Sequence, residues 1–161
     1  MRAVASKFSV AALIALAALV VPAGPASAAT TGLFISSHDG RCLDADISTP
    51  THDGTKVQTW QCIDGNRNQK WTHYPDGSIR SSWDGRCLDE DIAGGVRNGT
   101  KVQVWVCNGW DNQKWDVRPD GSITNRHDGR CLDQNIAGGT RNGTQVQVWD
   151  CNGWLNQKWH R

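Results

Sequence analysis

Cys87-Leu88-Asp89, then Val102-Gln103-Val104-Trp105-Val106-Cys107, then Asn112-Gln113-Lys114-Trp115 form one passage of a pattern that the chain writes three times. The first copy carries Cys42, Leu43 and Asp44, then Val57, Gln58, Trp60 and Cys62, then Asn68, Gln69 and Trp71. The third carries Cys131, Leu132 and Asp133, then Val146, Gln147, Trp149 and Cys151, then Asn156, Gln157 and Trp159. Successive copies lie 44 to 45 residues apart, and the step from Asp to Gln is 14 residues in each. A fixed period of this length means one small unit that cannot bury its apolar face alone and is repeated until the copies share a core. The units run from about 32 to 73, 74 to 116 and 117 to 161.

The spaces between the motifs hold Asp39-Gly40, Asp76-Gly77, Asp84-Gly85, Asn98-Gly99, Asp120-Gly121, Asp128-Gly129 and Asn142-Gly143. Such pairs between short alternating runs are strong hairpin signals. Lys101 to Cys107 alternates Val102, Val104 and Val106 with Gln103, Trp105 and Cys107, the period of a half-buried strand. No helical period is sustained beyond the leader. The expectation is an all-β fold of short strands around one core.

Residues 1–28 read as a secretory signal peptide. Arg2 and Lys7 precede a 12-residue apolar run from Val10 to Val21, then Ala26-Ser27-Ala28. The run is too short to span a bilayer comfortably, so membrane insertion is not expected and the remainder, 29–161, is expected to be secreted as one domain. Loss of the leader moves the formal charge from +1 to −1. Basic residues are scattered singly, so nothing points to a nucleic-acid partner.

All six cysteines lie in the repeats, two per copy and 20 positions apart. With an export signal they read as disulfides. Fifteen connectivities are possible, and the repeat makes Cys42–Cys62, Cys87–Cys107 and Cys131–Cys151 the simplest. Zinc-ligand spacings are absent, so no metal or other cofactor is expected.

Alternation places Cys87, Asp89 and Asp91 on one strand face and Gln103, Trp105 and Cys107 on another. If the cysteines sit directly opposite each other, Asp89 faces Trp105 and Asp91 faces Gln103, with Asp44 facing Trp60 and Asp133 facing Trp149. A carboxylate beside an indole suits a sugar, whose C–H face packs on the ring while its hydroxyls donate to the carboxylate. A site written three times is better suited to binding than to catalysis. A glycosidase pair needs two different carboxylate environments, whereas these are nearly identical, and no GxSxG or HExxH motif occurs. The protein is therefore expected not to be an enzyme.

These motifs resemble those of the ricin B-type, or R-type, lectin family, marked by a QxW pattern in three copies. The resemblance covers the chain from about Gly32 to Arg161. It implies a β-trefoil of twelve strands, a six-stranded barrel capped by three hairpins. It also implies carbohydrate-binding residues: Asp44, Gln58, Trp60 and Asn68; Asp89, Gln103, Trp105 and Asn112; Asp133, Gln147, Trp149 and Asn156. Trp71, Trp115 and Trp159 resemble the family's core tryptophans, with Gln69, Gln113 and Gln157 as partners in structure, site or both. Asp46, Asp91 and Asn135 are candidates either to meet ligand or to shape their loops. Trp110 and Trp154 are candidates for an added wall. Copy one lacks that Trp, has a loop one residue longer and carries Thr59 in place of Val, so its site is the least secure. The expected function is a multivalent lectin for glycans or polysaccharides. The alternatives are a non-catalytic trefoil acting by protein contacts, as inhibitor or structural element, or an accessory protein in polysaccharide breakdown. Sugar specificity and oligomeric state are not legible.

Overall fold

A computed structural model describes residues 28–161, so the signal peptide expected over 1–28 lies, except for its final residue, outside the described residues. Among the described residues there is no α-helix, only four single turns of 3-10 helix at Arg67–Gln69, Ile92–Gly94, Asp111–Gln113 and Leu155–Gln157. The first unit contributes β2 (Ile35–Ser36), β3 (Cys42–Ala45), β4 (Thr55–Trp60) and β5 (Trp71–His73), preceded by β1 (Thr30–Gly32). The second contributes β6 (Ile79–Ser81), β7 (Cys87–Glu90), β8 (Thr100–Trp105) and β9 (Trp115–Val117). The third contributes β10 (Ile123–Asn125), β11 (Cys131–Gln134), β12 (Thr144–Trp149) and β13 (Trp159–His160). The count is thirteen rather than twelve because β1 adds itself antiparallel to β5, Thr31 opposite Thr72.

Three antiparallel pairs, β5 with β6, β9 with β10 and β13 with β2, make the six-stranded barrel of a β-trefoil. The last pair joins the final strand of the chain to the second, so the barrel closes only when the whole chain is present. Hairpins β3–β4, β7–β8 and β11–β12 form the cap, and they meet edge to edge through β4 with β8, β8 with β12 and β12 with β4. Each repeat thus borrows its neighbours to satisfy its sheet edges.

Period-two alternation sends Leu88, Val102 and Val104 inward with their counterparts Leu43, Val57, Leu132, Val146 and Val148, all fully buried. Trp71, Trp115 and Trp159 fill the centre, and their indole N–H groups donate to the carbonyls of Leu43, Leu88 and Leu132 at 3.0, 2.9 and 3.0 Å. A buried Trp can be used there because its one polar atom is satisfied. Relative to Ala, each contributes roughly 3–5 kcal/mol.

Disulfides join Cys42 to Cys62, Cys87 to Cys107 and Cys131 to Cys151, each with Cα atoms 5.1 Å apart. They do not join facing residues, and this corrects the expected register. Cys87 pairs with Trp105 and Asp89 with Gln103 across the β7–β8 ladder. Likewise Asp44 pairs with Gln58 and Asp133 with Gln147. The expected pairing of Asp91 with Gln103 fails as well, since β7 ends at Glu90. The reason is that β8 ends at Trp105, so Cys107 leaves the ladder and turns back to reach Cys87 from beyond it. Val106 also falls outside the strand: it is exposed, and its N–H donates to Asp53 Oδ1 at 2.7 Å. Thr59, the polar substitute for a core Val, is buried and accepts from Gln134 Nε2 at 3.1 Å.

Candidate carbohydrate-binding clefts

The corrected register still brings the residues of each motif together, because Asp89 and Trp105 become diagonal neighbours on one face. Such positions lie roughly 7–8 Å apart, within reach of a large side chain. The cleft of repeat two is lined by Asp89, Asp91, Ile92, Ala93, Gln103, Trp105, Asn108, Trp110 and Asn112. Repeat three repeats it with Asp133, Gln147, Trp149, Trp154 and Asn156, and repeat one with Asp44, Gln58, Trp60 and Asn68. Their volumes are about 390, 330 and 280 Å³ in repeats one, two and three.

The floor of each cleft is a carboxylate held by amides. Asp89 is 3% exposed; Oδ1 accepts from Gln103 Nε2 at 3.0 Å, and Oδ2 accepts from Asn112 Nδ2 and Gln113 Nε2 at 2.9 Å each. Asp44 receives the same three bonds from Gln58, Asn68 and Gln69, and Asp133 from Gln147, Asn156 and Gln157. A carboxylate offers about four acceptor sites. Three are spent on the protein, so one remains on Oδ1, not the two or more needed to grip a pair of hydroxyls alone. Burial raises the pKa of all three Asp carboxyls, and the amide donors oppose that rise.

Gln113 settles its own role: Nε2 donates to the Val106 carbonyl as well as to Asp89, and Oε1 accepts from Asn108 N–H at 2.8 Å. Gln69 and Gln157 do the same in their repeats, so these residues fasten the loop after the disulfide to the floor. Asn112 Nδ2 is shared between Asp89 and the Glu90 carbonyl, which leaves its buried Oδ1 with no donor, as is also true of Asn156. Buried acceptors without donors are costly unless a ligand supplies one. The acceptor site left open on each cleft floor is thus the one on the Asp Oδ1, suited to a partner that brings a hydroxyl hydrogen.

The walls are apolar and open. Trp60, Trp105 and Trp149 are 36%, 37% and 38% exposed, against full burial of the second Trp of each motif. What orients them was not legible as a site feature. In each case the support comes from another repeat: Asn142-Gly143 for Trp60, Asp53-Gly54 for Trp105 and Asn98-Gly99 for Trp149. Asn98 Oδ1 accepts from the Asp150 N–H and from Arg130 Nε, while Gly99 lies under Trp149. Asp53 clasps Val106 and Arg86 in the same way, and Asn142 clasps Gln61 and Arg41. These glycines sit at φ of 92°, 91° and 88°, which disfavours any side chain, and a Cβ would point at the Trp ring. The signal was present as an Asx-Gly pair at one place in each repeat. Its meaning required the fold, because clasp and Trp belong to different repeats.

Trp110 and Trp154 stand opposite as a second wall, 63% and 61% exposed, each opening a 3-10 turn. Asn66 takes that place in repeat one, with Ile63 beside it. Asp91 accepts from the Ala93 N–H at 3.2 Å and pairs with Lys101, and Asn135 accepts from the Ala137 N–H at 3.1 Å. These two line the clefts while shaping the loops that complete them.

Residues 30–159 match the family model described as the ricin-type beta-trefoil lectin domain. The chain belongs to the ricin-type β-trefoil lectin family. Within this family it is similar to volkensin from Adenia volkensii, at 44% identity over 62 residues, 38% of this chain and 11% of volkensin. This lectin-family chain therefore matches only about a tenth of that relative. Among solved structures it is similar to a non-toxic homologue of type II ribosome-inactivating proteins from bitter gourd, Momordica charantia, in complex with α-methyl-D-galactoside. That likeness has a TM-score of 0.71 and 27% identity, and covers 84% of this chain and 48% of the other. It is also similar to the C-half of an earthworm R-type lectin in complex with GalNAc, with a TM-score of 0.65 and 25% identity over 81% of this chain and 95% of that one.

Proposed function

We propose that this ricin-type domain is a secreted, non-catalytic lectin that binds glycans through three clefts. The observation that carries the reading is the same in each repeat: an exposed indole beside a buried carboxylate whose amide neighbours fix it at the cleft floor. Sugar C–H groups would pack on Trp60, Trp105 or Trp149, and a hydroxyl would donate to the free acceptor site of the Asp. The solved relatives with α-methyl-D-galactoside and GalNAc support a sugar as ligand. A non-catalytic role is favoured because the three floor carboxylates share one environment, which does not divide into acid and base. Three disulfides in so short a chain support an oxidising, extracellular address.

One shallow cleft would bind a sugar at about 1 mM, or about −4 kcal/mol. Three clefts fixed on one rigid trefoil would raise apparent affinity for a glycan-coated surface by about 10²-fold or more. A glycan array with the wild type and a Trp105→Ala, Trp149→Ala double variant tests this. The expected outcome is loss of at least tenfold in array signal with the thermal midpoint nearly unchanged, since both rings are partly exposed. Equal binding by the two proteins would remove clefts two and three from consideration, and no glycan binding by the wild type would favour a role through protein contacts.

A further inference from the structure

Cleft two does not end at Trp110. On the far side of that ring lies a second, open compartment of about 410 Å³ lined by Ile92, Gly109, Trp110, Asp111, Asn112 and His127. Ile92, Trp110 and Asn112 line both spaces, so the exposed indole stands as a partition between them. The volume is within the range of roughly 300–1,000 Å³ usual for ligand sites. Asn112, which borders both spaces, keeps a buried Oδ1 that has no hydrogen-bond donor.

The far wall is built from the next repeat and is held in place. Asn125 donates Nδ2 to the Asn112 carbonyl at 3.0 Å and accepts from the His127 N–H at 2.8 Å, which pins the turn carrying His127 to the 3-10 turn carrying Asp111. The other repeats have Ser36 and Ser81 at the place of Asn125: Ser81 accepts from the Trp83 N–H of its own turn, while Ser36 accepts from the His38 N–H and donates to Gln134 Oε1 on β11, so neither side chain ties its turn to a 3-10 turn. At the place of Asp111 repeat one has Arg67, whose Nε and Nη2 lie on the Ser82 carbonyl at 3.0 and 2.6 Å, and repeat three has Leu155. The polar compartment with Asp111 and His127 is thus particular to the junction of repeats two and three.

We propose that cleft two and this compartment are consecutive subsites of one groove, and that its ligand is an oligosaccharide of at least two sugar units laid across Trp110. One unit rests between Trp105 and Trp110, with a hydroxyl on the free acceptor site of Asp89. The next rests on the opposite face of Trp110, with one hydroxyl donating to the Asp111 carboxylate and another on the His127 imidazole, which has both a donor and an acceptor nitrogen. The partition serves both because an indole has two faces. This rests on the lectin reading above and adds a requirement for chain length.

The test uses the full chain with Trp60→Ala and Trp149→Ala to silence the other clefts, and adds Asp111→Ala with His127→Ala in a second protein. Mono-, di- and trisaccharides of galactose, xylose and mannose are titrated while amide and indole N–H resonances are followed by NMR. The expected result is a shift of the Trp105 indole with the monosaccharide of one series. Its disaccharide should bind about tenfold tighter and also shift Asp111 and His127. In the second protein the monosaccharide should bind as before and the gain with length should vanish. Equal affinity for mono- and disaccharide, or a gain with length that survives the double substitution, overturns the groove but leaves the lectin reading intact. A Trp105 indole unmoved by every saccharide overturns both.

Discussion

Clefts one and three have the same floor and different walls. Asp44 and Asp133 each receive three amide donors in the same geometry, and Trp60 and Trp149 are equally exposed. Opposite the indole, however, cleft three has Trp154 and cleft one has Asn66 and Ile63. The difference teaches that floor and wall answer to separate demands. The floor is part of the fold, since its carboxylate fastens two strands, a 3-10 turn and the loop after the disulfide. The wall side chains Trp110 and Trp154 stand largely in solvent and fasten no part of the core, so that position is free to vary.

The largest expected effect comes from breaking a floor. Asp133→Ala strands the side-chain amides of Gln147, Asn156 and Gln157 without their shared acceptor, at a cost of roughly 2–4 kcal/mol. Chemical denaturation should show it, and a change below about 0.5 kcal/mol would mean that the floor serves ligand alone.

A smaller effect sharpens the comparison beneath the floors of repeats two and three. Gln134 donates to Asp39 and Thr59 and accepts from Ser36 at 2.6 Å. Glu90 holds the same place in repeat two, fully buried and with neither oxygen hydrogen-bonded. Burial first, then the facing Asp128 and the nearby Asp89, push its carboxyl up to about 8 against the pull of Arg130. The folded protein therefore holds a proton that the unfolded chain releases near 4.5. Stability contributed by that proton is complete below about 4.5 and is lost as pH rises through about 8. Glu90→Gln should remove this fall and leave the variant more stable by on the order of 2 kcal/mol at pH 9. Denaturation at pH 5 and pH 9 checks it; parallel losses in both proteins would show that Glu90 has found a partner.

The smallest effect tests the wall. Asn66→Trp places an indole where repeats two and three have theirs, and should tighten sugar binding at cleft one several-fold, or about 1 kcal/mol, with little change in stability. Titration in a protein carrying Trp105→Ala and Trp149→Ala isolates that cleft. No gain would locate the weakness of cleft one in its longer loop instead.

Much of this was legible in the chain. Asx-Gly turns and period-two runs lead to an all-β fold of three units, the resemblance of the threefold motif to the ricin B-type family implies the trefoil, and the 20-residue interval within each repeat leads to the disulfide pairing. The two tryptophans of each motif were told apart by position, Trp105 beside the cysteines and Trp115 after the NQK step, and burial separates them the same way. Alternation misplaces the facing pairs because it gives the face of a residue and not where its strand ends. Asp91 and Asn135 could not be assigned from spacing, since a turn acceptor and a cleft lining are the same side chain in one position.

The sequence by itself determined what is local and repeated: the strands, the turns, the cysteine pairs and the residue types gathered at each motif. Tertiary structure alone decided what passes between repeats. The Gly99 that supports Trp149, the Asn125 that joins His127 to the wall of cleft two and the Asp128 that faces Glu90 all act across a junction between repeats. A linear pattern records spacing along one strand, whereas these contacts depend on how three units close around a shared axis, and no period within a unit encodes that.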